Sequence, residues 1–163
     1  MRVVIILMLL PLLAVASEFQ RSASLHLRPE ITIELRASQF DPSQHKVTTT
    51  NSGAVRLIDG KQFFGTDGSL PRTQLDSATL IVEGTKMPLD VGQMYDPWFA
   101  VPAPESFSVT RYEGGWVLTA LFSDGAGTYL ARWRILNGTS LREVISDDED
   151  IVSLFHSDLP RHQ

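Results

Sequence analysis

From Ser106 onward apolar and polar residues alternate with a period of two, and glycine-bearing pairs interrupt the alternation at short intervals. This is the pattern of antiparallel hairpins, in which successive side chains point to opposite faces of a sheet. The runs SFSVTRY (106–112) and WVLTALFS (116–123) flank Gly114-Gly115. A two-residue turn there sets Val109 opposite Ala120 and Phe107 opposite Phe122. The next connection, Asp124-Gly125-Ala126-Gly127, reads as a four-residue loop that sets Ser123 opposite Thr128. The same register brings Phe122 to Tyr129, Ala120 to Ala131, Leu118 to Trp133 and Trp116 to Ile135, every pair apolar. A slip of one residue would turn this whole set to the other face. Asn137-Gly138 is the strongest of the hairpin signals. It predicts Arg132 opposite Glu143, Ala131 beside Val144, and Trp133 opposite Arg142 with a cation–π contact between them.

The first half carries the same punctuation less regularly. Ile31–Ala37 alternates. Lys46–Thr50 and Ala54–Asp59 flank Asn51-Ser52-Gly53, Asp59-Gly60 is a tight turn, and Ala78–Glu83 and Lys86–Val91 flank Gly84-Thr85. Pro88 confines the last run to a sheet edge or a bulge, because proline donates no ladder hydrogen bond. Phe63–Leu75 has turn residues throughout and reads as a long connection. The fold class expected is mainly β, an antiparallel sandwich or small closed barrel of eight to ten strands. A short C-terminal helix follows in SDDEDIVSLFHSDL, with Ser146 as N-cap, Glu149 completing a capping box, and Ile151, Leu154 and Phe155 facing the sheet.

The N-terminus, MRVVIILMLLPLLAVA, has one basic residue, an apolar run and an A-x-A site, the pattern of a secretory signal peptide over residues 1–16. The apolar run is shorter than the roughly 20 residues that a membrane span needs. The mature chain is then a single β domain over 17–163, with no membrane span after cleavage, exported to a periplasm or secreted. Without Arg2, 13 basic side chains stand against 19 acidic ones, a formal charge of −6. That balance argues against a nucleic-acid partner, which calls for a basic patch. The chain has no cysteine, which rules out thiol chemistry and favours a bacterial envelope over a disulfide-stapled eukaryotic domain.

No nucleophile elbow, P-loop or zinc-protease motif occurs, and His26, His45, His156 and His162 are scattered. No cofactor and no metal ligand set is expected. The acidic run Asp147–Asp150 lacks the spacing of a calcium loop and reads as a solvated helix start. Asn137-Gly138-Thr139 matches a glycosylation acceptor but is better explained as a turn. The segment GQMYDPWFAVPAPE (92–105) differs from the rest, with three prolines, no alternation, and Met94, Tyr95, Asp96, Trp98 and Phe99 close together. Prolines lower the entropy cost of presenting a loop, and aromatic residues dominate binding hot spots. These five residues and Asp124 form the candidate binding set. The leading expectation is a non-enzymatic envelope protein that binds another protein, as inhibitors and immunity proteins do, with a basic partner favoured by the acidic field. Two others stand beside it. One is a carrier whose barrel cavity is lined by Trp116, Tyr129 and Trp133. The other is a hydrolase using Ser123 and Asp124 on a loop rim.

Overall fold

The structure is a computed structural model that describes residues 20–156 apart from 124 and 126. Residues 1–16, Asp124 and His162 lie outside the described residues, and so do the side chains of Phe155 and His156. The elements are β1 (Gln20–Arg28), β2 (Ile31–Gln39), β3 (Val47–Thr49), β4 (Val55–Ile58), β5 (Thr73–Val82), β6 (Thr85–Leu89), β7 (Phe107–Tyr112), β8 (Gly115–Phe122), β9 (Tyr129–Leu136), β10 (Thr139–Ser146) and α1 (Glu149–His156). Two four-stranded antiparallel sheets, in order β1-β2-β5-β6 and β7-β8-β9-β10, stack as a sandwich, and β3-β4 forms a small third sheet. The sheets are open, so the sandwich alternative holds and the closed barrel does not.

The core lies between the two inner faces. Ile33, Leu35, Leu80 and Met87 from one sheet meet Leu118, Phe122, Tyr129 and Trp133 from the other. The seam between edge strands β6 and β10 is polar. Trp133 Nε1 donates to the Asp90 carbonyl at 2.9 Å, Arg142 Nη1 to the Gly92 carbonyl at 2.6 Å, and Ser140 Oγ to the Pro88 carbonyl at 2.5 Å. The Arg142 guanidinium is drawn to these carbonyls and to Asp90, at 3.2 Å, instead of lying over Trp133 as the pairing suggested. Pro88 sits on an edge strand, as proline requires.

The register of β8 against β9 is the expected one at every pair. The β7–β8 turn is displaced by one residue. Glu113-Gly114, and not Gly114-Gly115, forms the β7–β8 turn, with φ of 46° and 80°. Val109 therefore faces Leu118 and Phe107 faces Ala120. The shift is by two residues across the pair, so the apolar face is kept. Glu83-Gly84 likewise replaces Gly84-Thr85 between β5 and β6. With Asp59-Gly60 and Asn137-Gly138 these turns share positive φ at both central positions, the geometry that matches strand twist. Gly115 is freed from the turn to serve in β8, where a Cβ would stand 2.1 Å from the Ile135 carbonyl oxygen.

Two bulges account for other differences. In β10, Arg142 pairs with Trp133 and Val144 with Arg132, so Glu143 is the extra residue and Ala131 faces Ile145 instead of Val144. The bulge lets one carboxylate reach two guanidinium groups, Arg134 Nε at 2.6 Å and Arg132 Nε at 3.8 Å. In β5, Asp76 is the extra residue between the pairs Arg36–Ser77 and Ala37–Leu75. It breaks the alternation, which is why Thr73–Leu75 falls in the long connection read from the sequence and the strand is recognised only from Ala78. β1 was passed over although its signal is present: Ser22–Arg28 alternates polar and apolar, with Ala23, Leu25 and Leu27 on the face that packs against the core.

At the C-terminus Asp148, not Ser146, caps α1, its Oδ1 accepting from the Asp150 and Ile151 amides at 2.9 and 3.3 Å. Ser146 acts one step earlier, accepting from the Asp148 amide. Ile151 and Leu154 are exposed, and Val152 is the half-buried residue among the described side chains of this helix. No helix among the described residues is long and apolar enough to cross a membrane.

The close approach at Gly115 gives a direct expectation. Gly115→Ala forces β9 to move and costs about 1–3 kcal/mol, read as a lowered urea midpoint at unchanged slope. An unchanged midpoint would contradict the packing described.

Candidate functional site

The loop from Gly92 to Glu105 crosses the end of the sandwich, and backbone pairing fixes its first half. Leu75 N donates to the Met94 carbonyl at 2.9 Å, Tyr95 N to the Phe64 carbonyl at 2.9 Å, and Phe64 N to the Gln93 carbonyl at 3.0 Å. Asp96 is the anchor. It is 4% exposed and holds a left-handed φ of 39°. Its Oδ1 accepts from the Arg72 amide at 3.0 Å, the Thr73 amide at 2.7 Å and the Thr73 hydroxyl at 3.0 Å, while its own amide donates to the Thr73 carbonyl. Beyond it Trp98 bridges to Ser123, and Arg21 Nη1 donates to the Phe99 carbonyl at 2.7 Å.

These contacts divide the candidate residues by direction. Met94, Tyr95, Asp96 and Trp98 point inward, Met94 at 1% and Trp98 at 6% exposure. Phe99 is turned out, 68% exposed, and Val101 beside it is 76% exposed. Val101 was not singled out by sequence, since a lone valine in a proline-rich segment carries no signal. A hollow of about 600 Å3 lies under the tip, lined by Arg21, Gln39, Arg72, Trp98 and Phe99 among others. Asp124, the sixth candidate, lies outside the described residues.

Tyr95 belongs to a second, smaller core with Phe40, Ile58 and Phe63. Its ring meets Phe40 and Phe63 edge-on, at 5.4 and 6.0 Å. Burial, and then the charge of Asp59, push its hydroxyl above the usual 10.0, so it is neutral at physiological pH. On the other face of Phe40 stacks His45, at 4.8 Å, and His45 Nδ1 contacts Asp59 Oδ2 at 2.7 Å. Asp59 Oδ1 also accepts from the Lys46 amide at 2.8 Å. Sequence reading missed this histidine–aspartate pair, because the two residues come together only when the β3–β4 hairpin closes.

The loop after β8 resolves as turn chemistry where it is described. Ser123 Oγ accepts from the Gly125 amide at 3.1 Å and from the Thr128 hydroxyl at 2.9 Å, so its oxygen is engaged in its own turn. Gly127 is required by packing, since a Cβ there would come 2.4 Å from the Gly65 carbonyl carbon. His26 contacts only Thr32 among the described hydrogen bonds. No group of three or more acidic or histidine side chains among the described residues could hold a metal ion.

Two expectations follow from this geometry. Asp96→Ala leaves two backbone N–H groups and a hydroxyl without their acceptor and costs roughly 1–3 kcal/mol of stability by denaturant unfolding. A loss no larger than that of a surface substitution would show that the carboxylate does not hold the loop. The second concerns acid. The His45 hydrogen bond, and then that of the Lys46 amide, hold the Asp59 carboxyl below its ordinary 3.8. A carboxyl lowered in the folded state contributes stability above its ordinary value and loses it as pH falls below 3.8 and through the lowered value. The Lys46 amide shift, followed by NMR, is expected to titrate with a midpoint below 3.8 that rises in His45→Ala; a wild-type midpoint at or above 3.8 is the contrary result. Compared with known proteins, this chain matches no family model, no curated protein and no solved structure.

Proposed function

We propose that the chain is an exported envelope protein that acts by binding another protein, as an inhibitor or immunity-type partner, and that Phe99 and Val101 lead the contact. The observation that carries this reading is the contrast within one loop. Residues 94–98 are buried and tied to β5 and β8, while the next large apolar side chains face solvent. An apolar tip carried on a hydrogen-bonded base gives contact area at a lower entropy cost than a loop free along its whole length. Large aromatic side chains are the usual centres of binding energy. The leader-like N-terminus supports export, and the absence of cysteine favours a bacterial envelope over a disulfide-stapled eukaryotic setting. The acidic balance supports a partner with a basic surface, approached by electrostatic steering.

The other readings gain less. A carrier needs a container, and Tyr129 and Trp133 pack between two open sheets at full burial. A hydrolase on the β8–β9 rim needs an available nucleophile, and the Ser123 oxygen is occupied by its own turn.

The test compares the mature chain, Ser17–Gln163, with Phe99→Asp in affinity capture from envelope extracts, identified by mass spectrometry. Trp98 is unsuitable for this purpose, because truncating a buried tryptophan would cost about 3–5 kcal/mol of stability. Phe99→Asp is expected to keep the wild-type melting temperature within a few degrees and to lose a stoichiometric protein that the wild type retains. Equal retention by both forms, or none by either, would count against the tip as the binding element.

A further inference from the structure

The outer faces of the two sheets differ. On the β7-β10 sheet α1 lies against β8 and β9, and Thr119 and Leu130, which point away from the core, are buried. On the β1-β6 sheet the outward positions Ser22, Ser24, Glu34, Arg36 and Ser77 are exposed. That face is hollowed. The bulge in β5 turns Asp76 and Ser77 outward together, and the 3-10 turn Pro42–Gln44 walls one side. Between them lies a groove of about 930 Å3, and a second hollow of about 450 Å3 continues from it towards Ser22 and Ser24. The two share Arg36 and Ser77. A groove of this size is in the range of ligand sites.

Its polar groups are oriented and only partly used. Ser38 Oγ and Gln74 Nε2 both donate to Asp76 Oδ1, at 2.8 and 3.1 Å. This fixes the carboxylate and leaves Oδ2 with no hydrogen-bond partner among the described residues. Arg36 makes no hydrogen bond or ion pair among the described residues, so the two opposite charges line one groove without pairing with each other. Hydroxyls and amides surround them, from Ser38, Ser77, Gln39 and Gln44. The aromatic ring at the groove, Phe40, is 4% exposed and offers little apolar surface.

We propose that this groove binds a linear, uncharged, hydroxyl-rich glycan. Neighbouring sugar hydroxyls each donate and accept, so one ring can satisfy Asp76 Oδ2 and the Arg36 guanidinium together. A polyanion would meet the carboxylates of Asp41 and Asp76, and a polycation would meet Arg36. An apolar ligand would leave the Asp76 carboxylate and the Arg36 guanidinium without partners, and a protein partner finds no exposed aromatic anchor. The site shares Gln39 with the hollow under the loop tip but does not rest on the role assigned to the tip.

The experiment is an NMR titration of the 15N-labelled mature chain with hexaoses of α-linked glucose, β-linked glucose and β-linked N-acetylglucosamine, and separately with inorganic phosphate. At least one hexaose is expected to give saturable shifts at the Asp76 and Ser77 amides and the Arg36 and Gln74 side chains. Affinity is expected to fall by about tenfold or more in Asp76→Asn and in Arg36→Gln, both exposed positions whose spectra elsewhere should match the wild type. Phosphate is expected to leave these signals in place. The proposal fails if all three sugars leave these signals unmoved at millimolar concentration, if phosphate moves the same signals, or if both variants bind the sugar like the wild type.

Discussion

The Asp96 carboxylate accepts from three groups, the Arg72 amide and the Thr73 amide and hydroxyl, and the placement of the loop above it depends on that cluster. The start of β5 would otherwise present consecutive amides to the end of the sandwich with no strand to take them. A buried carboxylate is costly unless hydrogen-bonded, and here the hydrogen bonds come from backbone groups that need an acceptor. One residue therefore resolves two problems, and it does so from a left-handed backbone conformation that turns the chain towards Trp98. Once Trp98 is seated against Ser123, Phe99 has only solvent to face.

The sandwich supplies the rigid base for this arrangement. Its inner faces are apolar throughout β8 and β9, so register there is fixed by the cost of turning aromatics to water. The edges are treated differently: β6 and β10 are joined by side chains donating to backbone carbonyls, with Trp133 supplying an indole N–H from inside the core. A tryptophan at full burial keeps its polar atom satisfied in this way.

Much of this was legible in the sequence, and the failures have physical causes. The β8–β9 register was readable from Trp116 to Phe122 because every inward position is apolar. Two of the turns were misplaced by one residue, since Glu83 and Glu113 adopt positive φ ahead of a glycine, a conformation uncommon for glutamate. The first half of β5 was hidden by Asp76, whose bulge sets two outward residues in succession. Within the candidate loop, the sequence did not show which side chains turn in, since a segment without periodicity carries no such signal. Of its five marked residues four are buried, and the exposed apolar side chains are Phe99 and an unmarked neighbour, Val101. The His45–Asp59 pair had no local signal at all.

The claim that the loop tip is the recognition element is tested most directly by placing a photo-crosslinking amino acid at position 99 in cells that express the full chain. Leu141, an outward apolar residue of β10 at 65% exposure, is the matched control position. The account predicts one discrete protein adduct from position 99 and none from position 141. The same adduct from both positions, or none from position 99, would contradict it.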